Sequence, residues 1–423
     1  MIKKNLLIIL IIILFLATAV AVGLFIFPYQ PDKPPHAEDV GSTVQGISEV
    51  VDANNKFAFD LYSELNNSEK GNIFYSPYSI FSALAMTYEG AKNQTASEMK
   101  SVFHFPENEI LRPNFAKIYN DINENANDYD LKIGNALWAQ QNFYFLEDYM
   151  DRVEKYYGGK AVNVDFANKT EETRQTINSF IEEQTKNKIK NLIPKGALDL
   201  TTRLVLTNAV YFKGDWEWQF DIKETFESDF KITPDNIIKT EMMNMKPGID
   251  EAKFNYLDNG DLQVLELPYK GDKISMLILL PTENLDVVES NLTFEKINEY
   301  KSQMKETKLD LISLPKFEFE TKYFMKETLS NLGMSSAFSF QDADFSGMTG
   351  KKDLFIGFVI HQAYIKVDEK GTEAAAATAV GMNLTSMPNF RTVFKADHPF
   401  LFMIQEKQTG NILFLGKVVN PNE

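Results

Sequence analysis

The chain has 423 residues, of which 59 are acidic and 43 are basic, so its formal net charge at pH 7 is −16. This negative charge argues against nucleic acid, or an anionic membrane surface, as a binding partner. The chain has no cysteine, which excludes disulfides, thiolate metal sites and a cysteine nucleophile. Its four histidines lie far apart and form no HExxH-like pair, so we expect no zinc site and no cofactor.

The N-terminus carries a candidate membrane anchor. Residues 1–5 include Lys3 and Lys4, and residues 6–27 form an uncharged, mainly apolar run that is long enough to cross a bilayer as a helix. The two lysines predict a short cytoplasmic N-terminus, with the remainder of the chain outside the cytoplasm. Small residues at positions 17–21 leave a cleaved signal peptide, and hence a secreted protein, as the alternative.

The next segment, residues 28–46, contains Pro28, Pro31, Pro34 and Pro35 among polar residues. This composition predicts an extended linker outside the cytoplasm. No second boundary is visible after it, so we expect one large domain over residues 47–423.

The first clear helix signal in that domain lies near residue 77. Pro77 suits the first turn of a helix, Ser76 suits its N-cap, and Ile80 and Leu84 would lie on its buried stripe. Ser79 would then be buried near Ser76, where both hydroxyl groups need hydrogen-bond partners. A second amphipathic helix is predicted over residues 170–188.

Strand patterns recur through the rest of the chain. The nearly continuous apolar run at 203–218 is typical of a strand that is covered on both faces. Period-two patterns and turn residues predict further strands, at 131–141, 161–166, 262–269, 274–281, 309–319, 355–368, 400–405 and 412–418. The pattern indicates an α+β fold with a large, mostly antiparallel sheet.

The sequence of residues 368–388 does not by itself choose between a helix and a strand. The alanines at 374–377 favour a helix, but Gly371 and Gly381 bracket a run that is too short to hold a helix alone. Taken as a strand, Thr372 begins one face of small residues, whereas Glu373 begins the other face. The first face could pass inside a protein.

Six motifs in order carry a resemblance to a known family. They are residues 72–80 (NIFYSPYSI), 208–216 (NAVYFKGDW), 314–317 (LPKF), 361–363 (HQA), 368–377 (DEKGTEAAAA) and 398–402 (HPFLF). With these motifs the chain resembles the serpins from about residue 47 to 421. The resemblance implies a serpin-like α+β fold, with further sheets and about eight or nine helices.

The resemblance also implies a function. In that family an exposed reactive loop is bait for a protease, which cleaves the loop and becomes acylated by it. The loop then inserts into the central sheet as a new strand, drags the protease across the molecule and distorts its active site. We therefore expect a monomer that is consumed once and is not an enzyme. The expected covalent partner is a serine protease, with a cysteine protease as a second candidate.

The family pattern assigns roles to residues of the loop. The resemblance implies a hinge made of Glu369, Gly371, Thr372, Glu373, Ala374, Ala375, Ala376, Ala377 and Thr378. It puts the scissile bond between Thr385 and Ser386, with Leu384–Thr385 as the fallback. The residue before the cut, Thr385 or Leu384, suggests a protease with a small or medium apolar pocket, elastase-like or subtilisin-like.

The resemblance also implies two further groups of residues, one beneath the loop and one beside it. Ser76, Ser79, Asn208 and His361 would form a polar shutter cluster, beneath the point where the strands part. Trp216, Lys316 and Glu369 would form the breach, where insertion begins, with Lys316 paired to Glu369.

Two alternatives remain. A serpin-fold protein that binds without inhibiting would usually carry charged or bulky hinge residues, which are absent from the inward face that begins with Thr372, Ala374 and Ala376. A membrane-anchored serine acyl hydrolase is suggested by SxxK patterns, which begin at Ser97, Ser228, Ser302 and Ser313 without their usual companion motifs.

Overall fold

The computed structural model of the protein describes residues 36–124, 128–159, 161–247, 252–372 and 392–423. The predicted membrane-spanning run, 6–27, lies outside these residues. No helix within the described ranges combines the length and the apolar character that a bilayer crossing needs. One compact unit extends from Ala37 to Glu423.

The compact unit begins before the predicted domain boundary at residue 47. Ala37 is 1% exposed, and its backbone N–H donates to Asn120 Oδ1 at 2.9 Å. Thr43 caps the first helix, because its side chain accepts from the N–H of Gly46. The second half of the predicted linker is therefore part of the fold.

Ten α-helices lie within the described residues. They are α1 (Val44–Ser68), α2 (Pro77–Tyr88), α3 (Asn93–Val102), α4 (Asn108–Glu124), α5 (Glu147–Tyr157), α6 (Thr170–Gln184), α7 (Leu285–Glu289), α8 (Phe294–Gln303), α9 (Met325–Asn331) and α10 (Ser346–Thr349). Short 3₁₀ helices lie at Ile222–Glu224 and Ser336–Phe338.

The described strands are β1 (Ile73–Tyr75), β2 (Tyr129–Ile133), β3 (Ala136–Gln140), β4 (Ala161–Val164), β5 (Leu204–Asp215), β6 (Phe226–Thr233), β7 (Asn236–Met245), β8 (Phe254–Asp258), β9 (Leu262–Pro268), β10 (Ile274–Pro281), β11 (Lys305–Thr307), β12 (Leu311–Pro315), β13 (Phe317–Phe324), β14 (Phe358–Val367), β15 (Gly371–Thr372), β16 (Val393–Lys395), β17 (Phe400–Glu406) and β18 (Ile412–Val418).

Three sheets organise these strands. The central sheet has the order β13-β14-β15-β5-β3-β4, with β2 also paired to β5. A second sheet has the order β16-β12-β7-β6, and a third has the order β1-β18-β17-β10-β9-β8-β11. The α+β fold with a large, mostly antiparallel sheet is confirmed.

Local sequence explains several of these elements. Helix α2 begins as expected, with Ser76 as its N-cap and Pro77 in its first turn. The first nine residues of β5 are all buried, in keeping with a strand covered on both faces. The strands predicted at 262–269 and 274–281 are present as β9 and β10, which form a hairpin that pairs from Ser275↔Pro268 to Pro281↔Leu262.

The expectation of one strand over residues 309–319 was wrong. Strand β12 ends at Pro315 in the second sheet, and β13 begins at Phe317 in the central sheet. Pro315 cannot donate a ladder hydrogen bond, so it suits a strand end. The intervening Lys316 donates its N–H to Glu241 O at 2.9 Å.

The central sheet contains an unusual junction. Strands β5 and β14 pair directly in parallel from Phe358↔Val205 to Tyr364↔Tyr211. We call this pairing the seam. At its upper end β15 lies between the same two strands, where Thr372 pairs with Val367 and Gly214. The lower end of the seam is therefore at Phe358 and Val205.

Candidate functional site at the strand seam

A buried polar pair bridges the middle of the seam. His361 and Asn208 are register partners on β14 and β5, and His361 Nδ1 is hydrogen-bonded to Asn208 Oδ1. The N–H of Ser76 donates to His361 Nε2 at 3.1 Å. Nε2 is therefore an acceptor and Nδ1 carries the proton, so the ring is neutral. Complete burial lowers the pKa of His361 to about 3.

The network continues to the helix below the seam. Asn208 Nδ2 donates to Ser79 Oγ at 2.7 Å and to Asn135 Oδ1 at 2.6 Å. Ser76 Oγ accepts from the N–H of Ser79 and donates to Leu413 O at 2.7 Å. The structure thus brings Ser76, Ser79, Asn208 and His361 into one cluster, which ties both strands of the seam to the start of α2.

Asn135 also belongs to this cluster, although sequence reasoning missed it. Its Oδ1 accepts from Ser79 Oγ at 3.0 Å, and its Nδ2 donates to Ser79 O at 2.9 Å. The residue lies between β2 and β3, directly after Gly134. A glycine followed by a polar residue, inside an otherwise strand-like pattern, was the available signal.

A second group of contacts lies at the upper end of the seam. Glu369 Oε1 is 3.5 Å from Lys316 Nζ and accepts a 2.8 Å hydrogen bond from Thr225 Oγ1. Lys316 Nζ also lies 3.3 Å from Glu241 Oε2. Burial lowers the pKa of Lys316, but the two carboxylates outweigh this effect, so the pKa is raised and the amine stays charged.

Trp216 holds the turn that precedes β15. Its indole Nε1–H donates to Asp368 O at 3.0 Å, and its backbone N–H donates to Lys370 O at 2.7 Å. The indole stacks on the Tyr269 ring, with the centroids 4.5 Å apart. The structure therefore places Trp216, Lys316 and Glu369 around the same turn.

Two of the predicted hinge residues, Gly371 and Thr372, occupy the space between β14 and β5. Thr372 is 1% exposed, and its hydroxyl is 2.6 Å from that of Tyr269. A Cβ at position 371 would come within 2.0 Å of Gly214 O, so only glycine fits there. Sequence reasoning did not identify Tyr269 as a site residue, because it lies at the end of a predicted strand that is far from the hinge in the chain.

The segment after α6, residues 186–193, lies across one face of the seam. Lys186 Nζ is 5.9 Å from the ring centroid of Tyr211, and Lys188 Nζ is 5.3 Å from that of Tyr364. These two tyrosines are register partners on β5 and β14. Ile189 and Leu192 of the segment pack in one buried cluster with Ala209 and Ile360 of the same strands. The segment thus contacts both strands that a new central strand would separate.

The remaining candidate residues of the loop lie outside the described residues. These are Glu373, Ala374, Ala375, Ala376, Ala377, Thr378, Leu384, Thr385 and Ser386. Among the residues that are described, no three His, Asp or Glu side chains are grouped so that they could hold a metal ion.

In this arrangement Gly371 and Thr372 lie between β14 and β5, above the part of the two strands that pairs directly. The family model for serpins, described as serine protease inhibitors, matches residues 52–421. The chain belongs to the serpin family. Serpins are generally protease inhibitors rather than enzymes.

Individual relatives agree with this assignment. The chain is 41% identical over 381 residues to an uncharacterized serpin-like protein of Methanosarcina mazei, covering 88% of each chain. It is 38% identical over 386 residues to the human leukocyte elastase inhibitor, covering 89% of this serpin and all of that one. The structure of human thyroxine-binding globulin is similar with a TM-score of 0.78 at 30% identity, covering 89% of this chain and 100% of that one.

Proposed function

We propose that this serpin is an irreversible suicide-substrate inhibitor of a serine protease. The observation that carries the proposal is the position of Gly371 and Thr372 between β14 and β5, above a directly paired parallel seam. A loop that is cut at its far end could extend this short strand downward only by separating the two strands of the seam.

The covalent step follows ordinary acyl transfer. The protease serine Oγ attacks the carbonyl carbon of Thr385, and the peptide bond to Ser386 breaks. The new amino group of Ser386 leaves with the proton, and Thr385 remains esterified to the protease. Insertion of the loop must then outpace hydrolysis of that ester by water.

Insertion has a physical driving force. Each inserted residue replaces contacts of a parallel pair with two antiparallel ladders, which are slightly more stable per residue. About ten net hydrogen bonds at about 1 kcal/mol each would release on the order of 10 kcal/mol. The face that begins with Thr372 and continues through Ala374, Ala376 and Thr378 is small and uncharged, so it could pass between the strands.

The target class is proposed from the residue before the scissile bond. Thr385, or Leu384 if the cut is one residue earlier, suits a small or medium apolar pocket. The name of the human leukocyte elastase inhibitor, which is 38% identical, supports an elastase-like target. A subtilisin-like protease is the second class, and a cysteine protease is a further candidate.

The proposal includes a location. An uncleaved anchor at residues 6–27 would hold the inhibitor on the outer side of a membrane, and the tether would span residues 28–36, because the compact unit begins at Ala37. Extraction of the full-length chain from membranes tests this. Release by high salt instead of detergent would contradict the anchor.

The decisive experiment mixes residues 37–423 with elastase, subtilisin, trypsin and papain, each beside its inactivated form as the control. We expect an SDS-stable complex with an active elastase-like or subtilisin-like protease, and release of a peptide that begins at Ser386. Cleavage more than two residues from Thr385 would contradict the assigned bond. Cleavage without any complex would contradict inhibition.

A non-inhibitory binding protein is the second candidate function. The structural similarity to human thyroxine-binding globulin, at 30% identity, supports it. This candidate predicts a loop that is cut without stabilising the protein. Inhibition predicts a large rise in thermal stability after cleavage, because a strand has been added to the sheet.

A further inference from the structure

Strand β16 is short and lies at an edge of the second sheet. It spans only Val393–Lys395 and pairs in parallel with β12, from Leu311↔Val393 to Ser313↔Lys395. In chain order it is the first described element after β15. A strand of three residues with one neighbour has few ladder hydrogen bonds. Contacts at its two ends therefore contribute much of what holds it in place.

The start of β16 is held by Asp310. The N–H of Asp310 donates to Thr392 O at 2.8 Å, and the N–H of Thr392 donates to Asp310 Oδ2 at 3.0 Å. Both donors are backbone N–H groups, which do not titrate.

The other end of β16 is held through Asp397 and His398. The N–H of Lys231, on β6, donates to Asp397 O at 2.8 Å. His398 Nδ1 lies 3.0 Å from Asp397 Oδ1, and His398 Nε2 lies 2.5 Å from the carbonyl oxygen of Pro281, the last residue of β10. The imidazole thus joins the end of β16, in the second sheet, to the end of β10, in the third.

Both ring nitrogens of His398 face oxygen atoms that only accept hydrogen bonds. A carboxylate and a backbone carbonyl have no proton to donate, so each ring nitrogen must carry one and the imidazole must be a cation. The His398 side chain is 22% exposed and that of Asp397 is 19% exposed. Water therefore has little access to replace these partners.

The surrounding charges support the same protonation state. Burial lowers the pKa of His398, but the hydrogen bonds to Asp397 and Pro281 and the Asp397 charge outweigh burial and the opposing Lys231, so the pKa is raised above 6.5. Burial would raise the pKa of Asp397, yet His398 and Lys395 lower it to about 2. Lys395 Nζ lies 2.9 Å from Asp397 Oδ2, so the carboxylate stays ionised between two cations.

We propose that Asp397 and His398 form a proton-dependent latch, which fastens the end of β16 to β10 at mildly acidic pH and releases it as the pH rises above neutrality. Loss of one proton to solvent leaves a ring nitrogen and an oxygen facing each other without a hydrogen between them, so one contact is lost. Release of β16 uncovers the edge of β12. The inference goes beyond the proposed function, since it concerns only how β16 is held.

The direction of the pH dependence follows from linkage. The folded pKa of His398 lies above the ordinary value of 6.5, so the folded chain holds a proton that the unfolded chain releases. The stabilisation is therefore complete below pH 6.5 and is lost as the pH rises through the folded pKa. This direction is opposite to that expected for the buried, neutral His361.

The first test measures the proton itself. The full-length chain has four histidines, so its imidazole NMR signals can be assigned by comparison with single variants. The signal that is missing from His398→Gln should titrate above pH 6.5 in the wild type. In Asp397→Asn, which keeps the ring but removes the facing charge, the same signal should titrate at a lower pH than in the wild type.

The second test measures the release of β16. Hydrogen exchange at residues 393–396 of the full-length protein is followed from pH 6.5 to pH 9, with each rate divided by that of a free peptide of residues 392–399. We expect the corrected protection of the wild type to fall at least about fivefold over this range. In His398→Gln the protection should be lower at pH 6.5 and nearly constant with pH.

His104→Gln is the matched control. His104 is also paired with a carboxylate, since its Nε2 lies 2.7 Å from Asp60 Oδ2, but it is exposed and lies outside the second sheet. Its variant should follow the wild-type profile at residues 393–396. A wild-type profile in Asp397→Asn that moves to lower pH would support the latch independently of His398→Gln.

Three outcomes overturn the latch. The first is a His398 signal that titrates at or below pH 6.5. The second is an equal fall in protection with pH in wild type and in His398→Gln, since another group would then control β16. The third is a wild-type protection that stays within twofold between pH 6.5 and pH 9 although His398 loses its proton in that range.

Discussion

The hydroxyl groups of Tyr269 and Thr372 lie 2.6 Å apart in the buried space between β14 and β5. Tyr269 is held in turn by its stack on Trp216. The hydrogen bond therefore links Thr372, the second residue of β15, to the residue that directly follows β9 of the third sheet.

Replacing Tyr269 by Phe should lower the free energy of unfolding by about 1–3 kcal/mol, because the Thr372 hydroxyl would lose its buried partner. Urea unfolding of Tyr269→Phe, Thr372→Val and the double variant measures the coupling between the two groups. We expect a coupling energy of about 1 kcal/mol. Additive effects would mean that the two hydroxyl groups do not stabilise each other.

Thr372→Arg should convert the inhibitor into a substrate. A guanidinium cannot enter the buried space between the strands without losing its hydration. Loop insertion should therefore become slower than hydrolysis of the ester. We expect the number of inhibitor molecules consumed per protease to rise at least about tenfold, which corresponds to about 1.4 kcal/mol in the competing barriers. Thr372→Ser, which keeps the hydroxyl, is the control and should stay near wild type.

Lys316→Glu should release the upper end of the seam. The change replaces the cation beside Glu369 and Glu241 with a third carboxylate, at a cost of roughly 2 kcal/mol for the lost charged contacts. Spontaneous loop insertion or polymerisation should accelerate, as seen by native gel migration and loss of activity on storage. Lys316→Met separates loss of charge from its reversal. Unchanged migration and activity in the Glu variant would refute a role for the pair.

Lys188→Met should speed the entry of a strand into the seam. The Lys188 ammonium lies over the Tyr364 ring, and an exposed contact of this kind contributes about 0.5–1 kcal/mol. The test is the rate at which a synthetic peptide of residues 372–385 anneals to the protein. We expect a rate about two to five times that of wild type. Lys190→Met is the control, since Lys190 is exposed on the same segment; an equal effect of both changes would argue against the ring contact.

Acid should weaken the seam through His361. Its folded pKa of about 3 lies below the ordinary value of 6.5, so the unfolded chain binds a proton that the folded chain does not. Stability is then fully present above pH 6.5 and is lost as the pH falls from there towards 3. Between pH 7 and pH 5 this residue alone should cost about 2 kcal/mol. Urea unfolding of wild type and of His361→Asn across this range provides the measurement. An equally steep pH dependence in the variant would assign the effect to other groups.

Local patterns predicted much of the fold. Ser76 and Pro77 mark the start of α2, and the turn at residues 270–272 marks the β9–β10 hairpin. These elements are predictable because their determinants are neighbours in the chain. The change of sheet at Lys316 was not predictable from the sequence. The apolar residues on either side of Pro315 do not reveal that the two halves of this stretch belong to different sheets.

The site depended more on tertiary structure. Asn135 and Tyr269 are ordinary residues in their local context, and each gains its role from a partner far away in sequence, Asn208 for one and Thr372 for the other.

The sequence by itself determined that residues 368–378 could be a strand or remain outside a sheet, because small uncharged side chains at alternate positions satisfy both states. Only the tertiary structure decided where such a strand could go. It pairs β5 with β14 in parallel, puts Thr372 between them, and lays residues 186–193 across both. The reason is physical: the order of strands in a sheet depends on long-range backbone pairing, which local propensity does not encode.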